Sequence, residues 1–158
     1  MEEKESITMT KPLYIKILVV SIILLIIYLA FVMSSFLFIK PYSLGAETSV
    51  DDQKIVTHID VLEKDGKKLE IAGYAYEDGV PLETINSSFV IKNQETGKMY
   101  RMRTQMEDNI NVPEDYRQAG IHAQCFLLGI PKGTYDIYVL YKNNNNDILT
   151  YTLISFDI

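Results

Sequence analysis

At 158 residues the chain is long enough for one domain of ordinary size and too short for a multidomain enzyme. Charged residues make up 23% of it and the formal net charge is -6, a balance that argues against nucleic acid or anionic lipid as ligands of its surface. The apolar residues are unevenly spread: an uncharged block runs from Ile17 to Ile39 and leaves residues 40–158 to build a folded core.

Residues 1–16 precede the block and read as a cytoplasmic tail. Residues 17–39 read as a transmembrane helix in the lipid bilayer, because at about 1.5 Å per residue they span about 34 Å, more than a hydrocarbon core of about 30 Å. Lys16 and Lys40 bracket the block, with Tyr14 and Tyr42 just beyond, which suits the headgroup zone. A secretory signal has an apolar core of about 7 to 15 residues, so this longer block reads as a retained signal-anchor. Cleavage after Ala46, with Leu44 two residues before it, is opposed by Lys40 and Pro41 between core and site. No cysteine closely follows the block to carry a lipid. Lys4, Lys11 and Lys16 precede it, whereas Lys40 alone follows before Glu47, Asp51 and Asp52, so the N-terminus is expected in the cytoplasm of a single-pass cell-membrane protein and residues 40–158 on the extracytoplasmic side. Within the helix Ala30 and Ser34 form one small-xxx-small pair, a candidate helix-packing site or an incidental feature of a lipid-facing anchor.

Residues 40–54 read as a polar tether. From 55 to 158, apolar and polar residues alternate between turn signals, which predicts strands at 55–62, 68–76, 87–93, 98–106, 121–129, 134–142 and 148–157. Ile55, Ile59 and Val61 are the expected core face of the first. Lys64 to Lys67 and Glu95 to Gly97 mark tight hairpins, and Asp78-Gly79 and Asn143 to Asn146 mark further reversals. Only Asn111 to Gly120 reads as helical, with Asn111 as a cap and Pro113 in the first turn. The fold class is therefore an all-β outer domain, a seven-stranded antiparallel sandwich, behind one N-terminal transmembrane helix.

The segment from Ile130 to Val139, IPKGTYDIYV, resembles the entry to the penultimate strand of immunoglobulin-like and fibronectin type III-like domains. The resemblance implies an immunoglobulin-like sandwich with Tyr135, Ile137 and Val139 facing inward. Antibody-type recognition is not implied, because the paired cysteines and the tryptophan are missing. The run Val112 to Gly120, followed by Tyr135 to Lys142, is similar to sandwich modules associated with Gram-positive surface-glycopolymer machinery. That likeness implies a place in cell-envelope assembly.

Cys125 is the only cysteine, so no internal disulfide forms, and its apolar setting reads as a buried strand. Twelve lysines against three arginines, with abundant Asn, Ile and Tyr, suggest a low-GC Gram-positive bacterium, where the Asn86-Ser87-Ser88 sequon goes unused. Nucleophile elbows, phosphate loops and clustered metal-ligand motifs are missing from the sequence, so no catalytic residue, metal or cofactor is expected. His58 with Asp60, His122, Asp51-Asp52 and Glu107-Asp108 read as solvated side chains.

If Tyr135, Ile137 and Val139 point inward, Tyr138 and Leu140 point outward, and Tyr74, Tyr76 and Tyr151 join them as a partner- or glycan-binding face. Arg101 and Arg103, opposite Tyr100 and Met102, can grip a carboxylate or phosphate or else protect an edge strand. Three functions follow in order of preference. The first is a non-catalytic accessory or scaffold subunit holding a membrane protein of envelope assembly. The second is a module binding a cell-wall glycopolymer, and the third an enzyme with an unrecognised site.

Overall fold

The computed structural model describes residues 11–37, 39–45, 48–50, 54–82, 86–143 and 146–158. Lys4 and the rest of residues 1–10, the Ala46 cleavage position, Glu47, the Asp51-Asp52 pair and the centre of the Asn143 to Asn146 turn lie outside them. The chain divides into two compact units, Met1–Phe36 and Leu37–Ile158.

The described residues of the first unit lie in one helix, α1 (Lys11–Leu37), whose last residue falls in the second unit. Pro12 sits in its first turn, where a missing N–H costs nothing. Apolar side chains cover all its sides, and Pro12–Ser34 is long and apolar enough to cross a membrane. The Ser34 hydroxyl donates to the Phe31 carbonyl at 2.8 Å, so the helix satisfies that polar group itself. The apolar block and the helix end at different residues: Ile39 has left the helix and is buried in the core of the second unit.

The second unit is mostly β-sheet. Its strands are β1 (Lys40–Tyr42), β2 (Thr48–Val50), β3 (Ile55–Asp65), β4 (Lys68–Glu77), β5 (Ser88–Asn93), β6 (Met99–Arg101), β7 (Thr104–Glu107), β8 (Gly120–Phe126), β9 (Thr134–Asn143) and β10 (Asn146–Asp157). They form a four-stranded sheet in the order β3-β4-β8-β7 and a six-stranded sheet in the order β1-β6-β5-β9-β10-β2. Only the β2 to β10 pairing is parallel among these pairs.

Ten strands replace the expected seven, for two reasons. The segment read as a tether supplies two edge strands, because Lys40 to Tyr42 pair with Arg101 to Met99 and Thr48 to Val50 pair with Asp147 to Leu149. The expected strand 98–106 is two strands in different sheets. Between them Met102 is buried, its N–H bonded to the Phe89 carbonyl at 2.9 Å, and the chain crosses from one sheet to the other.

Inward residues of both sheets meet in one core: Leu69, Ile71, Ile121 and Ala123 from the smaller sheet, and Phe89, Ile91, Tyr135, Ile137, Val139 and Tyr141 from the larger. The alternation Tyr135, Ile137, Val139 is buried as read. In β3 a register shift between Ile59 and Val61 moves the inward series onto Leu62, which packs against the core in place of Val61. A second shift, between Tyr151 and Ser155 of β10, puts Leu153 in the left-handed region (φ 63°) and into solvent.

The hairpins form at the expected turns. Asp65 pairs with Lys68 across Gly66, whose φ of 56° suits a residue without Cβ. In the other, the Asn93 side-chain oxygen accepts the Glu95 and Thr96 N–H groups at 3.1 and 2.7 Å. The expected helix is a 3-10 helix, Glu114–Ala119, starting at Pro113 without a side-chain cap. Asn111 does not cap it, because its N–H bonds Asn109 Oδ1 and its amide bonds Asp60.

Candidate functional site

The tyrosines expected to share one face belong to two sheets. Tyr74 and Tyr76 lie on β4, in the four-stranded sheet, while Tyr138 and Tyr151 lie on β9 and β10, in the six-stranded one.

On the six-stranded sheet, register aligns Lys40, Arg101, Val90, Tyr138 and Tyr151 in one row across five strands. The Tyr138 and Tyr151 rings are 5.2 Å apart, and Lys92 Nζ stands 5.9 Å from the Tyr138 ring centre. Arg101 is half-buried and donates from Nε to Ser88 Oγ at 2.8 Å. Arg103 is exposed at the crossing between β6 and β7, outside any strand, so the two arginines do not alternate on one strand. Leu140 is not an exposed contact residue. It is fully buried with Val90 and Leu149 in a small second cluster flanked by Tyr42, Met99 and Tyr138. Period-two alternation assigns Leu140 to the outer face correctly but carries no information about what covers that face.

The four-stranded sheet carries a more ordered arrangement. His58 and Tyr74 are cross-strand partners with ring centres 5.6 Å apart, Tyr74 and Tyr76 stack at 6.1 Å, and Tyr76 stacks on Tyr116 at 4.2 Å with planes 17° apart. Four rings thus form one continuous column. Tyr116, from the 3-10 helix, is fixed by the Gly79 N–H, which donates to its hydroxyl at 2.8 Å. Desolvation first, then the neighbouring Tyr74, Asp78 and Tyr116, pushes the Tyr76 phenol above its ordinary pKa, so it stays neutral. Tyr116 also lines an open groove of about 790 Å³ with Gly79, Pro81, Asp108, Glu114 and Asp115. Sequence reading missed Tyr116 because it lies outside the strands; its place in the column depends on a fold that brings residues 76 and 116 together.

Beside the column, Asp60 accepts Asn109 Nδ2 at 2.8 Å and lies 3.9 Å from His58. Farther along the sheet Glu70 accepts Gln124 Nε2 at 2.7 Å and lies 3.2 Å from His122 Nε2. These are pairs without a third member: among the described residues no three His, Cys, Asp or Glu side chains group as metal ligands. Cys125 is buried, and desolvation pushes its thiol up to about 12, which keeps it protonated and poorly nucleophilic. Comparison with family models, curated proteins and solved structures returns no match.

Glu70 is a test of this polar network. Its hydrogen bonds to Gln124, then His122, and its contact with Lys68 hold the carboxyl below its ordinary pKa, against a smaller opposing effect of desolvation. A carboxylate whose folded pKa is depressed stabilises the fold above its unfolded pKa, and that contribution disappears as pH falls through the folded value. Glu70→Gln should therefore melt below wild type at neutral pH, with the gap closing under acid. A gap that stays constant from neutral pH to below the usual glutamate range means the charge on Glu70 contributes nothing.

Proposed function

We propose that this chain is a membrane-anchored, non-catalytic accessory protein whose immunoglobulin-like domain, outside the membrane, holds a membrane-protein partner of cell-envelope assembly. The column His58, Tyr74, Tyr76, Tyr116 carries the reading. Aromatic rings already stacked on an open sheet face offer contact area at little further cost in side-chain entropy, which is what interfaces use. The candidate acids, bases and thiol do not converge on one position, which favours binding over catalysis.

The immunoglobulin-like assignment is supported by the sheet order. With β3 to β10 taken as strands A, B, C, C′, D, E, F and G, the two sheets read A-B-E-D and C′-C-F-G, with β2 added in parallel beside the last strand. Tyr135 near the start of β9 donates its hydroxyl back to the Pro131 carbonyl at 2.8 Å, as the corner tyrosine of such domains does. Ile137, two residues on, is fully buried where antibody domains have a cysteine, so apolar contact replaces the disulfide.

The test is crosslinking in the native membrane, mild-detergent purification of the full-length chain and mass spectrometry. A stoichiometric membrane enzyme or transporter is the expected result; recovery of the chain alone overturns the accessory role. A second reading, glycan binding, is favoured by Tyr138 and Tyr151 with Lys92 and Arg101 on the other sheet. Full-length protein retaining purified wall polymer, and losing it on Tyr138→Ala, is its signature. Truncation at residue 43 is unsuitable for that assay because it removes β1.

A further inference from the structure

Charge is distributed unequally between the two sheets. The strands of the four-stranded sheet carry six acidic and two basic side chains, and its 3-10 helix adds two acidic and one basic; the strands of the six-stranded sheet carry three acidic and four basic. The acidic excess therefore lies on the side that bears the ring column. Asp108, Glu114 and Asp115, which line the groove beside Tyr116, have no ion-pair partner among the described residues. Arg117 is the one basic side chain among the described residues lining it.

Resting on the accessory reading, we infer that the partner docks on the outer face of the four-stranded sheet and presents there a lysine- and arginine-rich segment to the Tyr116 groove. Two independent features select this occupant. Aromatic rings attract ammonium and guanidinium groups through their negative faces, and guanidinium also stacks on them. Carboxylates around the groove then complement the same cations and steer them toward it, while repelling anionic polymers. Tyr116 is held in advance by Tyr76 on one side and by the Gly79 N–H at its hydroxyl, so little ordering cost remains when the segment arrives. The open groove, about 790 Å³, has room for long side chains of a peptide.

The experiment uses full-length protein in zwitterionic lipid nanodiscs and three probes: a mixed lysine/arginine decapeptide, a glutamine/glutamate decapeptide and a neutral N-acetylglucosamine oligomer. The basic peptide is expected to bind, to weaken as salt rises, and to lose about tenfold or more in affinity with Tyr116→Ala and with the Glu114→Gln/Asp115→Asn double variant. Glu95→Gln, which neutralises one carboxylate in a hairpin of the other sheet, is expected to leave binding unaltered. Thermal melts of each variant separate lost binding from lost fold, and Tyr116→Phe, which keeps the ring, should bind better than Tyr116→Ala. Absence of basic-peptide binding, equal loss with Glu95→Gln, or displacement of that peptide by the saccharide overturns the inference. A native partner whose crosslinking survives Tyr116→Ala and the double variant also overturns it and leaves the accessory reading standing. Specific peptide binding with no partner recovered from the membrane upholds the chemistry of the face and removes the accessory role.

Discussion

Replacing Tyr135 by alanine is expected to cost about 3–5 kcal/mol, the range for emptying a buried aromatic position. The ring is fully buried in the shared core, 6.3 Å from Tyr100 and 6.2 Å from Phe156. Against a usual total stability of about 5–15 kcal/mol, that loss leaves the domain marginal or unfolded. Tyr135→Phe divides the effect into its parts. It keeps the ring but removes the donor to the Pro131 carbonyl, which should cost about 1 kcal/mol. Denaturant unfolding of the full-length chain in detergent checks both. If the alanine and phenylalanine variants unfold together, the ring is not filling the core.

Gly73→Ala is the second large effect. A Cβ at Gly73 would stand 2.1 Å from the His58 carbonyl oxygen, which belongs to the backbone of the neighbouring strand and has no rotamer to escape into. β3 and β4 must separate at the point where their register already shifts. Overpacked sites cost about 1–3 kcal/mol, and a backbone obstacle puts this one near the top of that range. Separation also moves His58 from Tyr74, the first contact of the ring column, so the variant should weaken binding at that face as well. Gly45→Ala is the control: its Cβ meets Thr48 Oγ1 at an ordinary 3.5 Å and should change stability by less than about 0.5 kcal/mol. Equal melting of Gly73→Ala and wild type would show that the strands are not so close.

Much of the second unit was legible because strand periodicity is local. The alternation Tyr135, Ile137, Val139 marks inward positions whatever the rest of the chain does, and Gly66 marks a two-residue reversal by its own backbone freedom. The readings that changed all depend on distant partners. Thr48 to Val50 look like a polar linker until Asp147 to Leu149 offer a parallel edge. Residues 98–106 look like one strand until the chain at Met102 and Arg103 is drawn across to the other sheet, where Thr104 pairs with Ala123. Val61 alternates correctly with Ile59, but the shift at Asp60 moves the inward face to Leu62.

The binding face shows the same division. Tyr74, Tyr76, Tyr138 and Tyr151 are each recognisable as strand tyrosines, yet their separation into two faces follows from sheet order alone. Tyr116 had no local signal, and Leu140 had the right direction but the wrong exposure. By itself the sequence determined one apolar helix long enough to cross a membrane, a β-rich unit after it, the principal turns and the excess of acid, because each is a property of neighbouring residues or of their sum. Only the tertiary structure decided which strands share a sheet, where Ile39 leaves the helix for the core, and that four rings from three separate segments meet in one column, because these depend on pairings between residues far apart in the chain.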